Sequence, residues 1–443
     1  MIEKMSRKDI IWGYFSQFLF IGSGVIIIPL AAKYLSSEEM GLWYLFVALA
    51  GLAQLLEFGF QLTISRMTSY VYSGALDILP EGVPNKAEGQ LDVQLLYDLF
   101  KAAKKVYLII AIGAVVLLTI FATIYLSTYE EFGTKQFYAW LIFSISTVVN
   151  LYFTYFNGLI VGRGDQHKFY KAQSISKLTM LAASVPLLIL DFGLLSMSFA
   201  TFVSMLVFRI LLNFIFFDKK RREIYDFKNI KSVNKDYSNI LWLAAWKLGI
   251  TSIGAYLIRN ANIFIASSFI GLNASASYGL TMQLLGILAS VSGMVFNLNL
   301  PKLTSLQTYG AKKQIKEIFT KSIIISHALY MLGGVSIVSI GIPLLDYLHV
   351  NTKLVDMDLL ILLFIVYQLE MNHSLYATYF TTKNTVPFLN SAIFSGFFIV
   401  FLSLIFMKFT NLGLLGLIVS QGIVQLVYNN WYWPLAFYRD INN

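Results

Sequence analysis

The chain of 443 residues has no cysteine, 4 histidines, 8 prolines and only 13% charged residues. Each shortage excludes something. Without cysteine there is no disulfide and no thiolate metal site. A soluble domain carries about 25% charge. A chain with roughly half that, and with 57% hydrophobic residues, has too little polar surface to dress a water-soluble globule. There is also no phosphate-binding loop of the Gly-rich Lys-Ser/Thr kind, no cluster with metal-ligand spacing and no nucleophile elbow. The sequence therefore offers no catalytic residues, no metal site and no ATP hydrolysis of its own. Work done by such a chain has to draw on an ion gradient, the membrane potential or a substrate gradient.

What is abundant is long apolar runs. Ile10 to Ala32 and Gly271 to Pro301 hold no charged residue. A helix needs about 20 apolar residues to cross a hydrocarbon core, and a membrane strand would alternate in polarity, which these runs do not. The pattern predicts about twelve transmembrane helices. The first six are 10–32, 41–62, 106–126, 137–158, 178–190 and 194–217. The second six are 240–270, 278–300, 323–347, 359–380, 386–407 and 412–437. The fifth is short and is allowed to begin near Ser174. A further short helix is expected over 92–103. The first apolar stretch is too long for a cleavable signal peptide, and no small-residue cleavage site follows it.

The formal net charge of +9 is not a nucleic-acid signal, because most basic residues lie in loops between apolar runs. They act as topology determinants and as contacts to anionic headgroups. With the N-terminus inside, the outside loops hold only Lys33, Lys135, Lys353 and Lys408, and nearly all other lysines and arginines fall inside. Arg209, Lys247 and Arg259 lie within spans. Both termini are then expected in the cytoplasm.

The halves echo each other. Arg66-Met-Thr68-Ser69 to Gly74-Ala75 follows the second span, and Lys302-Leu-Thr304-Ser305 to Gly310-Ala311 follows the eighth. Gly193-Leu194-Leu195 opens the sixth span, and Gly413-Leu414-Leu415 opens the twelfth. An even number of spans per half makes the repeats parallel, related by an axis along the membrane normal. The expected fold is an all-α integral membrane protein, with residues 1–217 as one six-helix bundle, 218–239 as a basic cytoplasmic linker and 240–443 as the second bundle. The polar loop containing Pro80-Glu81-Gly82-Val83-Pro84 is expected over the cytoplasmic mouth.

The first two spans carry a specific pattern. They read Pro29 … Leu35-Ser36-Ser37-Glu38-Glu39-Met40-Gly41-Leu42-Trp43, then Leu55-Leu56-Glu57-Phe58-Gly59 and Arg66. This resembles the polysaccharide-transporter branch of the multidrug/oligosaccharidyl-lipid/polysaccharide exporter superfamily, the Wzx-type O-antigen repeat-unit flippases. In sequence the resemblance is specific over 29–75; in architecture it covers the chain. It implies two bundles around a central cavity in a bacterial cytoplasmic (inner) membrane. The implied cargo is an undecaprenyl-diphosphate-linked oligosaccharide, flipped to the outer leaflet by alternating access. The implied partners are the bilayer, that glycolipid, and the polysaccharide polymerase and chain-length machinery of lipopolysaccharide or related pathways, with no nucleic acid. The alternatives are a small-molecule or drug antiporter of the same superfamily and an unrelated twelve-helix secondary transporter. A major-facilitator chain would carry a Gly-Asp-Arg-Gly-Arg-like motif after its second span, and none is present. A membrane glycosyltransferase would need a large outside loop, and those loops are short.

Moving a diphosphate through a low-dielectric layer requires fixed counter-charge and a wet path. Arg259 lies about 19 residues into the seventh span, roughly 28 Å along the axis, too deep for easy snorkelling. A guanidinium fork suits phosphate oxygens. Lys247 sits 12 residues earlier on the same helix, near enough to its end to snorkel. Arg209, eight residues from the end of the sixth span, reads chiefly as a snorkelling residue. Asn150 and Gln283 are candidates for binding sugar hydroxyls, against the commoner role of such groups as interhelical glue. Glu57 and Glu370 are intramembrane carboxylates able to take H+ or Na+; for Glu57 a structural bridge is an equal alternative. His373, three residues after Glu370, shares its helix face and makes a candidate proton relay. No cofactor is expected.

Overall fold

The structure is a computed structural model that describes residues 7–79, 91–218, 236–308, 311–383, 385 and 387–442. The Pro80–Pro84 loop and most of the basic linker lie outside the described residues. The described residues form helices and no strand. In chain order these are α1 (Arg7–Tyr34), α2 (Ser37–Gln54), α3 (Phe60–Tyr72), α4 (Val93–Ile124), α5 (Thr134–Tyr152), α6 (Tyr155–Gly162), α7 (Gln166–Ile189) and α8 (Leu194–Phe216). They continue as α9 (Ser238–Phe269), α10 (Leu272–Thr308), α11 (Lys312–Ser336), α12 (Ile342–Tyr347), α13 (Met357–Thr381), α14 (Leu389–Phe409), α15 (Leu414–Val427) and α16 (Asn429–Asn442). Among the described residues ten stretches are long and apolar enough to cross a membrane. Outside those ten, α9 carries the seventh expected span, and α15 with α16 carry the twelfth. The chain is an all-α multi-pass membrane protein.

The helix ends differ from the apolar runs in instructive ways. The third span and the expected 92–103 helix are one continuous α4. Asp92 caps it by accepting from the Leu95 amide at 3.0 Å, and the intervening Lys104 and Lys105 are good helix formers. The fifth span starts at Gln166 rather than Leu178, because its polar first half is satisfied in place. Ser16 Oγ donates to Gln173 Oε1 at 2.8 Å, and the Ser176 and Ser204 hydroxyls bond at 2.8 Å. Four spans are interrupted. The second breaks at Phe58 and Gly59, both left-handed (φ 48° and 75°). The fourth breaks between Tyr152 and Tyr155, the ninth contains a π turn over Ile337–Gly341, and the twelfth breaks at Tyr428.

By packing, the chain divides into two compact units: Met1–Ile27 with Leu49–Ser252, and Ile28–Ala48 with Ile253–Asn443. This is a different division from the sequence halves 1–217 and 240–443, because Ile28–Ala48 packs with the second unit. There Asn351 Nδ2 donates to Lys33 O at 2.8 Å and Leu35 O at 3.0 Å, and Tyr44 OH donates to Gln283 Oε1 at 2.9 Å. The duplication has one structural signature. Gly193 and Gly413, which open α8 and α15, have φ/ψ of 59°/−138° and 55°/−135°. Only glycine adopts that region without strain.

In the first unit α3, α4, α6 and α8 surround a core that includes Phe60, Ile64, Leu96, Tyr107, Phe156 and Phe216. The α3–α6 crossing is close because Gly158 and Gly162 form a small-xxx-small face. A Cβ at Gly162 would lie 2.2 Å from Ser65 O and 2.8 Å from Thr68 Cβ, so backbone would have to move. Gly162→Val is therefore expected to destabilise this unit by about 3 kcal/mol, the upper range for overpacking. Reversible unfolding in mixed micelles reads this directly, and an unchanged midpoint would mean that α3 and α6 do not meet there. In the second unit α10, α11, α13 and α16 enclose Phe296, Phe319, Tyr379 and Phe437. The Phe319 and Phe437 rings stack at 4.0 Å.

Candidate functional site

Among the described residues each unit holds a cluster of charged and polar groups inside its spans. In the first unit it is built on two broken helices. Where α2 ends, Glu57 turns back onto the start of α3. Its Oε2 accepts from the Gly59 amide at 3.0 Å, and its Oε1 accepts from the Gln61 amide and from Tyr107 OH, the latter at 2.6 Å. A carboxylate at a helix N-terminus meets unsatisfied amides and the positive end of the dipole. Three donors hold Glu57 as a cap, which suits a fixed charge better than a mobile proton.

The complementary charge is Arg209 on α8, which is buried (6% exposed). It does not snorkel. Nε and Nη2 both donate to Asn150 Oδ1, at 2.9 and 2.6 Å. Nη1 donates to Phe153 O at 3.0 Å and Asn157 Oδ1 at 2.8 Å, and Nη2 also donates to Thr154 Oγ1 at 3.1 Å. The Phe153 carbonyl closes α5, so a cation sits at that helix's negative end. Asn157 Nδ2 then donates to Gln61 Oε1 at 3.0 Å. A hydrogen-bonded chain thus runs from Arg209 through Asn157 and Gln61 to Glu57. Among the described residues no carboxylate lies within ion-pair distance of Arg209; neutral oxygens accept these five hydrogen bonds, and the guanidinium also lies 5.1 Å from the Phe208 ring centroid. Asn150, expected to bind substrate, is occupied by this guanidinium.

In the second unit Glu370 on α13 is the centre. Its Oε2 accepts from Gln421 Nε2 on α15 at 2.8 Å, and its Oε1 lies 3.9 Å from Arg259 Nε on α9. The structure brings Arg259 and Glu370 together, a pairing not expected from the sequence, which set His373 beside Glu370 instead. The pair is loose: the Arg259 side chain is 69% exposed, against 15% for Glu370. Arg259 lies ten residues before the end of α9, about 15 Å along the axis. His373 does not join Glu370; its Nδ1 pairs with Asn430 Oδ1 at 2.8 Å. Gln283 is engaged by Tyr44. Lys247 lies on α9, but its side chain is outside the described part of the chain. Among the described residues no group of His, Asp or Glu could hold a metal ion.

The second unit also has a cavity of about 710 Å³ between α14 and α15. Its wall is largely aromatic and aliphatic, with Phe394, Phe398 and Phe401 in line, and it has no charged lining residue.

The sequence reading underrated Arg209. The available signal was the polar stripe Asn150, Thr154, Asn157 at spacings of four and three in an otherwise apolar run. A stripe at that spacing faces one neighbour, and in this unit the neighbour is Arg209.

No protein-family model and no curated protein matches the chain. Solved structures do. The inward-facing conformation of a multidrug resistance MATE family transporter of the MOP superfamily matches with a TM-score of 0.58 at 15% identity, over 99% of this chain and 96% of that one. An outward-facing conformation of a multidrug resistance MATE family transporter matches with a TM-score of 0.57 at 17% identity and the same coverage. A MATE crystal structure in complex with MaD3S matches at 0.53 and 14%, covering 97% of that chain. At these identities the likeness is one of architecture, and across nearly its whole length the chain has the fold of those transporters.

Proposed function

We propose that the chain is a secondary transporter that works by alternating access, and that its cargo is an anionic glycolipid of the undecaprenyl-diphosphate-linked oligosaccharide class. The observation that carries the reading is Arg259, a cation well inside an apolar helix whose side chain is 69% exposed. A bare guanidinium facing hydrocarbon is costly, so an exposed one at that depth belongs to a wet path. Its donors are only loosely held by Glu370, which leaves the fork free for phosphate oxygens. Matching folds solved inward- and outward-facing support the alternating cycle. Coupling to H+ or Na+ falls to Glu370 rather than to Glu57, whose three donors hold it as a helix cap. In this reading the chain resides in the bacterial cytoplasmic membrane, as the resemblance to the flippases implies, with both termini inside on the argument of loop charge. A second reading, a small-molecule or drug antiporter, is favoured by the likeness to multidrug resistance transporters; cationic drugs are the case that the exposed Arg259 argues against.

Reconstitution separates the two. Proteoliposomes carrying the full chain and a fluorescent undecaprenyl-diphosphate-linked oligosaccharide should exchange the label between leaflets faster than protein-free vesicles. Exchange at the protein-free rate, with gradient-driven movement of a cationic dye, would remove the glycolipid reading and leave the drug antiporter.

A further inference from the structure

The helix α11 presents an outer face that no other described element covers. Its span, Lys312–Tyr347, has 11% of its apolar window buried, whereas the other candidate spans have between 22% and 56%. Ile315, Phe319, Ser322 and Ile323 turn into the core. The opposite side begins with Lys313, Lys316 and Lys321, all exposed, and Glu317 lies among them. Immediately below come Ile324 (62% exposed) and Ile325, followed by Leu332 and Val335. Positions 313, 317, 320 and 324 share one sector of the helix, with 316 and 321 flanking it. The face therefore passes within one turn from a cationic collar to an apolar rail.

We propose that this face binds an anionic phospholipid of the resident bilayer. Its phosphate is held by Lys313, Lys316 and Lys321, and its acyl chains lie along Ile324, Leu332 and Val335. Charge decides the occupant. Three lysines against one glutamate attract an anionic headgroup and gain little from a zwitterionic one. A second copy docked through the same face about a two-fold axis would set lysines against lysines. Lys316 is additionally steadied by Asn442 Oδ1 at 3.4 Å, which orients one of the three. The site lies outside the Arg259–Glu370 cluster, and it stands whatever the cargo is.

The test uses the full-length protein in nanodiscs of equal phosphatidylcholine and phosphatidylglycerol, with retained lipid counted by native mass spectrometry. The wild-type protein should retain phosphatidylglycerol in preference. Each lysine changed in the series Lys313→Gln, Lys316→Gln, Lys321→Gln should lower that preference about fivefold, and the corresponding Lys→Arg triple variant should restore it. If the glutamine triple variant does not insert, the wild-type protein at raised ionic strength supplies the reading, because screening should erase the preference. Equal retention of the two lipids by the wild type, or an unchanged preference in the triple variant or at high salt, would overturn the proposal. So would a wild-type dimer that dissociates in the triple variant while lipid retention stays constant.

Discussion

Replacing Arg209 by Ala is expected to destabilise the unit formed by Met1–Ile27 and Leu49–Ser252 by about 3 kcal/mol. The guanidinium makes five donations, to Asn150, Phe153, Thr154 and Asn157. Interhelical hydrogen bonds inside a bilayer average about 0.6 kcal/mol each, which sets the scale. Truncation takes the donor from the side-chain oxygens of Asn150 and Asn157, leaves the Phe153 carbonyl only its bond from the Phe156 amide, and removes the cation from the end of α5, so the break at Phe153 also loses support. Arg209→Lys should recover only about half of the loss, since an ammonium has three donors and no fork. Unfolding by denaturing detergent measures both variants. The decisive control is a double-mutant cycle with Asn157→Leu. If the cost of Arg209→Ala comes from orphaned oxygens, the double variant should be less destabilised than the sum of the singles. An Arg209→Ala variant within about 0.5 kcal/mol of wild type would mean that the network contributes nothing.

The same network explains what could and could not be read in the sequence. Spans such as Ile10–Ala32 and Leu194–Phe217 were legible because membrane burial rewards apolar length, which sequence displays directly. The breaks were less so. Phe58-Gly59 has a glycine to mark it, yet Tyr152–Tyr155 has neither glycine nor proline. What supports that break is Arg209, more than fifty residues away in sequence, donating to the Phe153 carbonyl at 3.0 Å beside the local bond from the Phe156 amide. Local pattern cannot show a bond made from another helix. Arg209 was misjudged for a related reason: depth from the span end suggests snorkelling, but the direction of the side chain depends on what the facing helix offers. The small-residue pair Gly158 and Gly162, four apart, was legible in principle, because its spacing alone predicts close helix approach. Of the expected site residues, Arg259 and Glu370 share one cluster, whereas Asn150, Gln283 and Glu57 have structural partners of their own.

Arg259→Ala is expected to lower transport of the lipid-linked oligosaccharide by about 10- to 100-fold, the worth of one charge-assisted contact of about 1.5–3 kcal/mol. Arg259 is only loosely paired. A structural salt bridge would hold the guanidinium near 2.8 Å and shield it; here the nearest carboxylate oxygen is 3.9 Å away and the side chain is mostly exposed. Removing a group so weakly tied should leave insertion and unfolding close to wild type, in contrast to Arg209→Ala. That separation makes the pair of variants informative: one should lose stability, the other activity. Arg259→Lys keeps the charge but not the bidentate fork and should fall between wild type and Ala. Glu370→Gln removes the anion beside Arg259 while keeping an acceptor, Oε1, for its Nε. If Glu370 couples an ion, that variant should exchange label between leaflets yet no longer respond to an imposed proton or sodium gradient. The sign of the Arg259→Ala effect also separates the two cargo classes. An anionic cargo loses its counter-charge and slows, whereas a cationic cargo loses a repulsive neighbour and moves at least as fast as before. Initial rates in proteoliposomes, normalised to inserted protein, decide between them, and wild-type glycolipid exchange by Arg259→Ala would end the assignment of this residue to the diphosphate.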